Sequence, residues 1–439
     1  MNSIPQGWEI KTLGEVCEIN PKNKLDDDLE VSFIPMNLIA DKYQNKFSYE
    51  IRKWSEVKKG YTHLQNHCIA IAKITPCFEN GKCVILQDLK NGYGAGTTEL
   101  IVVLADKNKI LQKFIFYFFN TTSFTKEGVK NFKGTAGQLR ISKDFITNLQ
   151  IPLPPLATQK LIVEKLENAF AHIDEAVRHL KSVQTNIPRL KSSLLHCAFS
   201  GKLTESQNQS HKVQTLKKRV VGEEGETLPF EPLHPLIKTE IPQGWEIKTL
   251  GEIGKVISGG TPSTSNKDNF DGEIAWITPA DLSGYKEKYI SKGKRNLSEQ
   301  GLKNSSARLL PPNSILFSSR APIGYVAIAS NALCTNQGFK NLIPNGNVSS
   351  EYIYYFLLHS KRLAESVASG TTFKEISAAS FSKLPIPLPP LATQNQIVQI
   401  LESKFAHLEK LAQFVNASLE NLQRLKSSLL NQAFKGELV

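Results

Sequence analysis

The chain has 439 residues, 40% of them apolar and 21% charged, with a formal net charge of +12 and a pI near 9.2. That length holds two to four domains with sizeable cores, and the mixture is that of a globular protein, not a fibrous or disulfide-stapled one. No apolar run approaches the ~20 residues of a membrane span, and the opening Met1-Asn-Ser-Ile-Pro5 lacks the apolar core of a secretion signal. The six cysteines fall at irregular spacings, and Cys77 and Cys83 are not set as a zinc pair. A cytoplasmic, reducing compartment with buried thiols is the expectation. The positive balance favours a polyanionic partner, whose phosphates Lys and Arg neutralise.

The first element is a motif, Ile4-Pro-Gln-Gly-Trp-Glu-Ile-Lys-Thr-Leu-Gly-Glu15, which recurs unchanged as Ile241 to Glu252. Its tryptophan is read as a core or docking anchor. Residues 16–148 then carry short apolar runs, Val31–Ile34, Cys68–Ile71, Cys83–Leu86 and Leu100–Leu104, punctuated by Gly, Asn and Pro as strands and turns are. Gly92-Tyr-Gly-Ala-Gly96 reads as a glycine-rich turn, Glu79-Asn-Gly-Lys82 as a turn between strands, and Phe114–Phe119 as an aromatic helix. The region is mixed α/β.

Residues 151–203 open with Ile151-Pro-Leu-Pro-Pro-Leu-Ala-Thr-Gln159 and close with Arg189-Leu-Lys-Ser-Ser-Leu-Leu and Ala198-Phe-Ser-Gly-Lys-Leu203. Residues 386–438 repeat this pattern, identical without gaps at 28 of 53 positions. In both copies apolar residues recur at alternating steps of about three and four, from Leu166 to Ala198 and from Leu401 to Ala433. That is a heptad-like seam on a long helix, started after Pro154-Pro155 or Pro389-Pro390 and capped near Gly201 or Gly436. Some 40 residues make a rod of roughly 60 Å. Gln184 interrupts the first seam, and Pro188, matched by Gln423, is expected to kink or break the first helix near Ile187.

Residues 204–238, with Lys217-Lys-Arg219 and Glu223-Glu-Gly-Glu226, have no repeat partner and read as a linker. The second region, 253–383, offers strands at Ile274–Ile277, Ile315–Phe317, Tyr325–Ala329 and Leu342–Pro344, and a helix from Glu351 to about Ser360. It shares a skeleton with the first. Ile69–Pro76 lines up with Ile315–Pro322, Thr97-Thr-Glu-Leu with Thr335-Asn-Gln-Gly, Phe114–Phe119 with Tyr352–Leu357, and Gly134-Thr135 with Gly370-Thr371. A shared scaffold with divergent loops is what two recognition modules of different specificity need.

No phosphate-cradling Walker loop, no Gly-x-Gly-x-x-Gly before a helix and no Asn-Pro-Pro-aromatic tetrad occurs. His172 and His407 match across the repeat but sit beside the seam, where helix-surface roles are expected. The chain offers no assembled active site.

The two copies of Ile-Pro-Gln-Gly-Trp-Glu with Thr-Leu-Gly-Glu, the two of Ile-Pro-Leu-Pro-Pro-Leu-Ala-Thr-Gln, and the closing Ala-Phe-Ser-Gly-Lys-Leu and Ala-Phe-Lys-Gly-Glu-Leu resemble the specificity subunit of a type I restriction–modification system. Lys73–Lys82, Arg320-Ala-Pro-Ile-Gly324 and Thr335-Asn-Gln-Gly-Phe339 are similar to stretches of that family's recognition domains. The resemblance implies two mixed α/β target-recognition domains (1–150 and 241–385) joined by two long antiparallel spacer helices (151–203 and 386–439), with a linker at 204–240 and an internal pseudo-twofold repeat. It implies a subunit with no chemistry of its own that reads a bipartite double-stranded DNA site. Two methyltransferase subunits would dock on it, and restriction subunits would join through them. S-adenosylmethionine, ATP and Mg2+ would sit on those partners and none on this chain. Candidate DNA contacts are Lys73, Thr75, Asn80, Lys82, Lys133, Thr135, Gln138 and Arg140 in the first region. In the second they are Ser319, Arg320, Asn336, Gln337, Lys340, Thr371 and Lys374. Arg320 is the foremost base reader, since Arg can hold a guanine bidentately. Leu156, Ala157, Thr158 and Gln159, with Leu391, Ala392, Thr393 and Gln394, are candidates for the partner surface. The rivals are a coiled-coil scaffold with protein-binding ends and a self-contained methyltransferase or nuclease.

Overall fold

A computed structural model describes residues 5–135, 137–204, 241–320, 322–370 and 374–439. The linker from 205 to 240 and Thr371 lie outside the described residues. The chain divides into two compact units, residues 1–182 with 414–439, and residues 183–413. The division falls within each long helix, Leu156–Phe199 and Leu391–Ala433.

The first unit opens on a small device that explains why two distant motifs are both repeated. The Trp8 N–H donates to the Pro5 carbonyl at 3.2 Å, and Gly7 takes φ +84 in the turn. Strand β1 (Glu9–Thr12) then pairs antiparallel with β10 (Gln150–Leu153), so that Ile10 faces Pro152 and Lys11 faces Ile151. The proline-rich hinge is thus one strand of a two-stranded ribbon, a place where a missing N–H is tolerated. Helix α1 (Leu13–Val16) follows, its start closed by the Thr12 N–H and Oγ1 donating to Glu15 at 2.6 and 2.7 Å. A Cβ on Gly14 would lie 2.8 Å from Thr147 Cγ2, which requires glycine there.

Two four-stranded sheets fill the rest of the module. One is ordered β2 (Cys17–Ile19), β9 (Leu100–Ala105), β6 (Cys68–Ala72), β7 (Cys83–Ile85). The other is ordered β4 (Glu50–Lys53), β3 (Glu30–Ile34), β8 (Tyr93–Gly96), β5 (Thr62–Gln65). Strand β8 corrects the reading of Gly92–Gly96 as a turn. It is an inner strand, parallel to β3 and antiparallel to β5. Its glycines let the neighbours approach, since a Cβ on Gly94 would meet the Ser32 carbonyl at 2.5 Å. Helix α3 (Gln112–Phe119) buries its aromatic run.

Helix α6 (Leu156–Phe199) is 44 residues long and runs unbroken through Pro188. The expected break near Ile187 does not occur. One lost backbone hydrogen bond is outweighed by seam packing, in which Ile187 is buried. In the first unit Ile162, Leu166, Phe170 and Ile173 of α6 share a core with Trp8, Phe114 and Tyr117, and with Leu430 and Ala433 of the second long helix, Leu391–Ala433. Phe434 sets its ring 4.8 Å from Phe114 and 5.3 Å from Phe118. Lys426, itself buried, pairs with Asp174 at 2.6 Å and lies 4.8 Å from the Phe170 ring.

The second unit repeats the plan on other strands. Its ribbon is β11 (Glu246–Thr249) against β20 (Pro385–Leu388), closed by Thr249 and Glu252 at 2.7 Å. A five-stranded sheet runs β12 (Gly254–Ser258), β19 (Phe339–Pro344), β16 (Ile315–Ser318), β17 (Val326–Ala329), β14 (Tyr289–Ile290). A three-stranded sheet runs β15 (Arg295–Leu297), β13 (Phe270–Ile277), β18 (Cys334–Thr335). Here Leu195, Ala198 and Phe199 of α6 enter the core, with Phe199 5.3 Å from the Tyr352 ring of the helix Ser350–His359. Lys191 pairs with Glu409 at 3.2 Å, over the Phe405 ring. His172 and His407 are exposed on their helices.

Candidate nucleic-acid interface

Each unit carries one corner where three loops meet. In the first, β6 ends at Ala72 and the chain turns through Lys73 to Lys82. The Lys73 N–H donates to the Glu99 carbonyl at 2.9 Å, and the Ile141 N–H donates to the Lys73 carbonyl at 2.9 Å. A glycine-rich hairpin, Lys133 to Arg140, closes with backbone bonds in both directions between its ends. Gly134 takes φ +127 there, and a Cβ on it would lie 2.7 Å from the Gln138 carbonyl.

The second unit builds the same corner. The Ser319 N–H donates to the Gly338 carbonyl at 2.7 Å, and the Ile376 N–H donates to the Ser319 carbonyl at 3.0 Å. Ser369 and Glu375 are bridged in the same way, with Gly370 at φ +120. The ladders fix the correspondence, because Ala72 pairs with Leu100 as Ser318 pairs with Phe339. Glu99 therefore matches Gly338, and Thr97 matches Asn336. The alignment of Thr97 with Thr335 was one residue out of register. Arg140 occupies the backbone position of Glu375, and Ile74 that of Arg320, since each of these pairs is bridged.

At the equivalent bridged position the two corners carry side chains of opposite sign, Arg140 and Glu375. The guanidinium of Arg140 donates from Nε and Nη2 to Glu99 at 2.9 Å each, and from Nη1 to the Gln138 carbonyl at 2.8 Å. Those bonds hold the Glu99 carboxyl below the usual range, against its partial burial. At the equivalent position Glu375 is the acid. It accepts from Arg320 Nε at 2.9 Å and from Lys340 Nζ at 3.1 Å. Burial raises its pKa, but Lys340 and Arg320 reverse this, and the carboxyl is held low overall.

The expected contacts sort by exposure. Asn80, Lys133, Thr135, Gln138, Arg320, Gln337 and Lys374 stand exposed, and Lys73 is half-buried. Thr75 donates to Glu79. Lys82 is turned inward, donating to the Ile39 carbonyl and pairing with Asp41 at 3.3 Å. Ser319 and Lys340 are buried, and Asn336 Oδ1 accepts from the Gly338 N–H. Glu99 and Glu375, which organise the corners, were not among the sequence candidates. The only signal for them was an acid next to basic loops.

At the hinges Leu391, Ala157 and Ala392 are exposed, and Leu156, Thr158 and Thr393 half-buried. The two glutamines are not on the surface. Gln159 accepts from the Leu111 N–H at 2.8 Å and donates to the Lys109 and Pro154 carbonyls. Gln394 accepts from the Ser349 N–H at 2.9 Å and donates to the Pro389 carbonyl. Each pins the hinge to the start of the module's aromatic helix.

Among the described residues no three His, Cys, Asp or Glu gather as metal ligands, and no helix is long and apolar enough to cross a membrane.

The signature of the type I restriction modification DNA specificity domain matches residues 5–182 and 242–421. The specificity subunit of the type I restriction enzyme EcoAI from Escherichia coli is 29% identical over 501 residues, spanning 98% of this chain and 83% of that one. The MjaIX specificity subunit from Methanocaldococcus jannaschii is 46% identical over 165 residues, 37% of this chain and 38% of that one. Among solved structures, one from a study of complex assembly and conformational transition of the type I R-M system has a TM-score of 0.72 at 21% identity, covering 99% of both chains. The HsdS subunit from Thermoanaerobacter tengcongensis has a TM-score of 0.67 at 20% identity, covering 99% of this chain and 98% of that one. At such identities these structures show a common fold. With the domain signature on both halves of the chain, each on its own copy of the ribbon, corner and long helix, the protein belongs to the type I restriction modification DNA specificity family.

Proposed function

We propose that this chain is the non-catalytic DNA-binding specificity subunit of a cytoplasmic type I restriction–modification complex. Each module reads one half of a split duplex site. The exposed corner residues Asn80, Lys133, Thr135, Gln138, Arg320, Gln337 and Lys374, with the half-buried Lys73, make the contacts. The observation that carries this reading is the repeated corner: one backbone framework built twice, with loops of different sequence and charge, in a basic chain of this family. Two recognition modules need that combination and a scaffold does not, so the coiled-coil scaffold is the less favoured reading. Two methyltransferase subunits dock on the hinge surface around Leu156, Thr158, Leu391 and Thr393, and restriction subunits join through them. S-adenosylmethionine, ATP and Mg2+ belong to those partners.

The long helices run antiparallel about a pseudo-twofold axis in this proposal. Matched ion pairs support it. Asp174 meets Lys426 and Lys191 meets Glu409, so that one number rises as the other falls, between repeat-equivalent residues. The test is to purify the chain with its methyltransferase partner and map methylated adenines. A two-part sequence with a fixed gap is expected, bound with a steep salt dependence. Methylation without a split motif would refute the reading.

A further inference from the structure

We propose that the orientation of the corner ion pair sets how each module reads its half-site, with Glu375 positioning Arg320 as a base reader and Glu99 withdrawing Arg140 from reading. The proposal rests on the DNA-recognition reading above and goes beyond it, since it takes Arg140 out of the candidate base contacts and gives Glu375 and Glu99 roles that the sequence did not suggest.

The geometry separates them. A guanidinium reads guanine through two parallel N–H bonds from one edge. Arg140 has all three nitrogens engaged within its own corner, two on Glu99 and one on the Gln138 carbonyl. It cannot present a fork to DNA without breaking a bidentate, charge-assisted pair. It serves as a strut that fixes the hairpin carrying Thr135 and Gln138. Arg320 is held only through Nε, and among the described residues its Nη groups donate to nothing. Its side chain is 48% exposed. The Nη edge of the guanidinium is the edge a guanine takes.

The mount behind Arg320 is stiff. Glu375 is anchored on its other oxygen by Lys340, whose side chain is 8% exposed on the inner strand β19 and also reaches Ser319 Oγ at 3.4 Å. An arginine oriented by a carboxylate has lost its rotamer freedom before DNA arrives, so less is lost on binding. Glu375 is therefore a positioning residue for the second half-site. At the equivalent corner of the first module, Ile74 stands where Arg320 does, and the exposed polar groups are the neutral Gln138, Thr135 and Asn80 with the cation Lys133. The first half-site is then read from this corner without arginine.

The experiment uses the full chain with its methyltransferase partner, a randomised duplex library, and sequencing of the retained fraction at two salt concentrations. Arg320→Lys keeps the charge and removes the fork. It should abolish a guanine preference at one or two positions in one half of the motif, lower cognate affinity roughly ten- to a hundredfold, and leave the salt slope unchanged. Glu375→Gln should weaken the same positions and no others. Arg140→Lys should alter no single guanine and instead blur the other half as a whole. A uniform loss on all sequences for Arg320→Lys would make that residue a phosphate contact and overturn the proposal. So would Glu375→Gln with a wild-type motif, or loss of one defined guanine in Arg140→Lys. A wild-type protein that enriches no split motif would remove the DNA-recognition reading itself, and this proposal with it.

Discussion

Two single residues show how much rests on local space and burial. Gly436 takes φ +77 where the chain leaves the second long helix, and a Cβ on it would lie 2.2 Å from Pro5 Cγ and 3.4 Å from Trp8. Gly436→Ala should therefore destabilise the first unit by about 1–3 kcal/mol. Gly7→Ala, with φ +84 but nothing within 4 Å, should cost only the backbone strain, about 1 kcal/mol. Urea melts of the two variants give the comparison, and equal losses would contradict the packing argument. His359 makes the second case. Its Nε2 is buried without a partner among the described residues, and burial, with His196 5.9 Å away, brings its pKa down to about 4. The fold favours the neutral ring, so its contribution is intact above about pH 6.5 and is lost as pH falls towards 4. The second unit should lose about 3 kcal/mol over that window. His359→Phe should flatten the loss, as read by hydrogen exchange in the helix Ser350–His359. An unchanged pH slope would clear His359 of the effect.

At the scale of elements, repetition told more than composition did. The opening motif and the hinge could be recognised as repeated, but their reason, a ribbon between residues about 140 positions apart, is a long-range pairing that no local pattern encodes. Runs of Val, Ile and Leu marked β3, β6, β7 and β9 because those strands are buried. Tyr93–Gly96 escaped because its glycines serve a neighbour's backbone, not a hydrophobic face. Glu99 and Glu375 escaped for a similar reason, since their partners lie 41 and 55 residues away. The hinge glutamines looked like surface signals because they repeat, yet they repeat as interior pins. Gln159→Leu leaves the Leu111 N–H and two carbonyls unpaired and should cost about 2–3 kcal/mol. Lys160 is exposed beside it, so Lys160→Glu should leave the melting curve in place and weaken methyltransferase binding. A co-purification assay beside a urea melt separates the two. If Lys160→Glu binds its partner normally, the hinge is not the docking surface.

At the scale of the whole molecule, the first unit is completed by a piece of chain that the repeat supplies twice. Its core takes in Leu430 and Ala433, with Leu429 and Phe434 packed against them, and Lys426 reaches Asp174. The repeat-equivalent residues are Leu195, Ala198, Leu194, Phe199 and Lys191, identical in type at every one of these positions, as Gly201 is to Gly436. A fragment covering residues 1–203 lacks the segment that closes the first unit but carries its equivalent. Two copies can each close the other, an isologous exchange that buries the exposed seam. The fragment should therefore be a homodimer by light scattering. With methyltransferase bound, it should methylate an inverted repeat of the first half-site, because both of its modules are the first. Gln184 stands where the second helix has Leu419, and a polar residue in the seam weakens such a pair, so Gln184→Leu should tighten the dimer. Lys191→Glu removes the ion pair with Asp174 that the exchange needs, and it should weaken the fragment dimer while Asp174→Lys in the same fragment restores it. A monomeric fragment, or a dimer indifferent to both charge changes, would show that the equivalence of the two helix ends in sequence does not extend to the seat they fill.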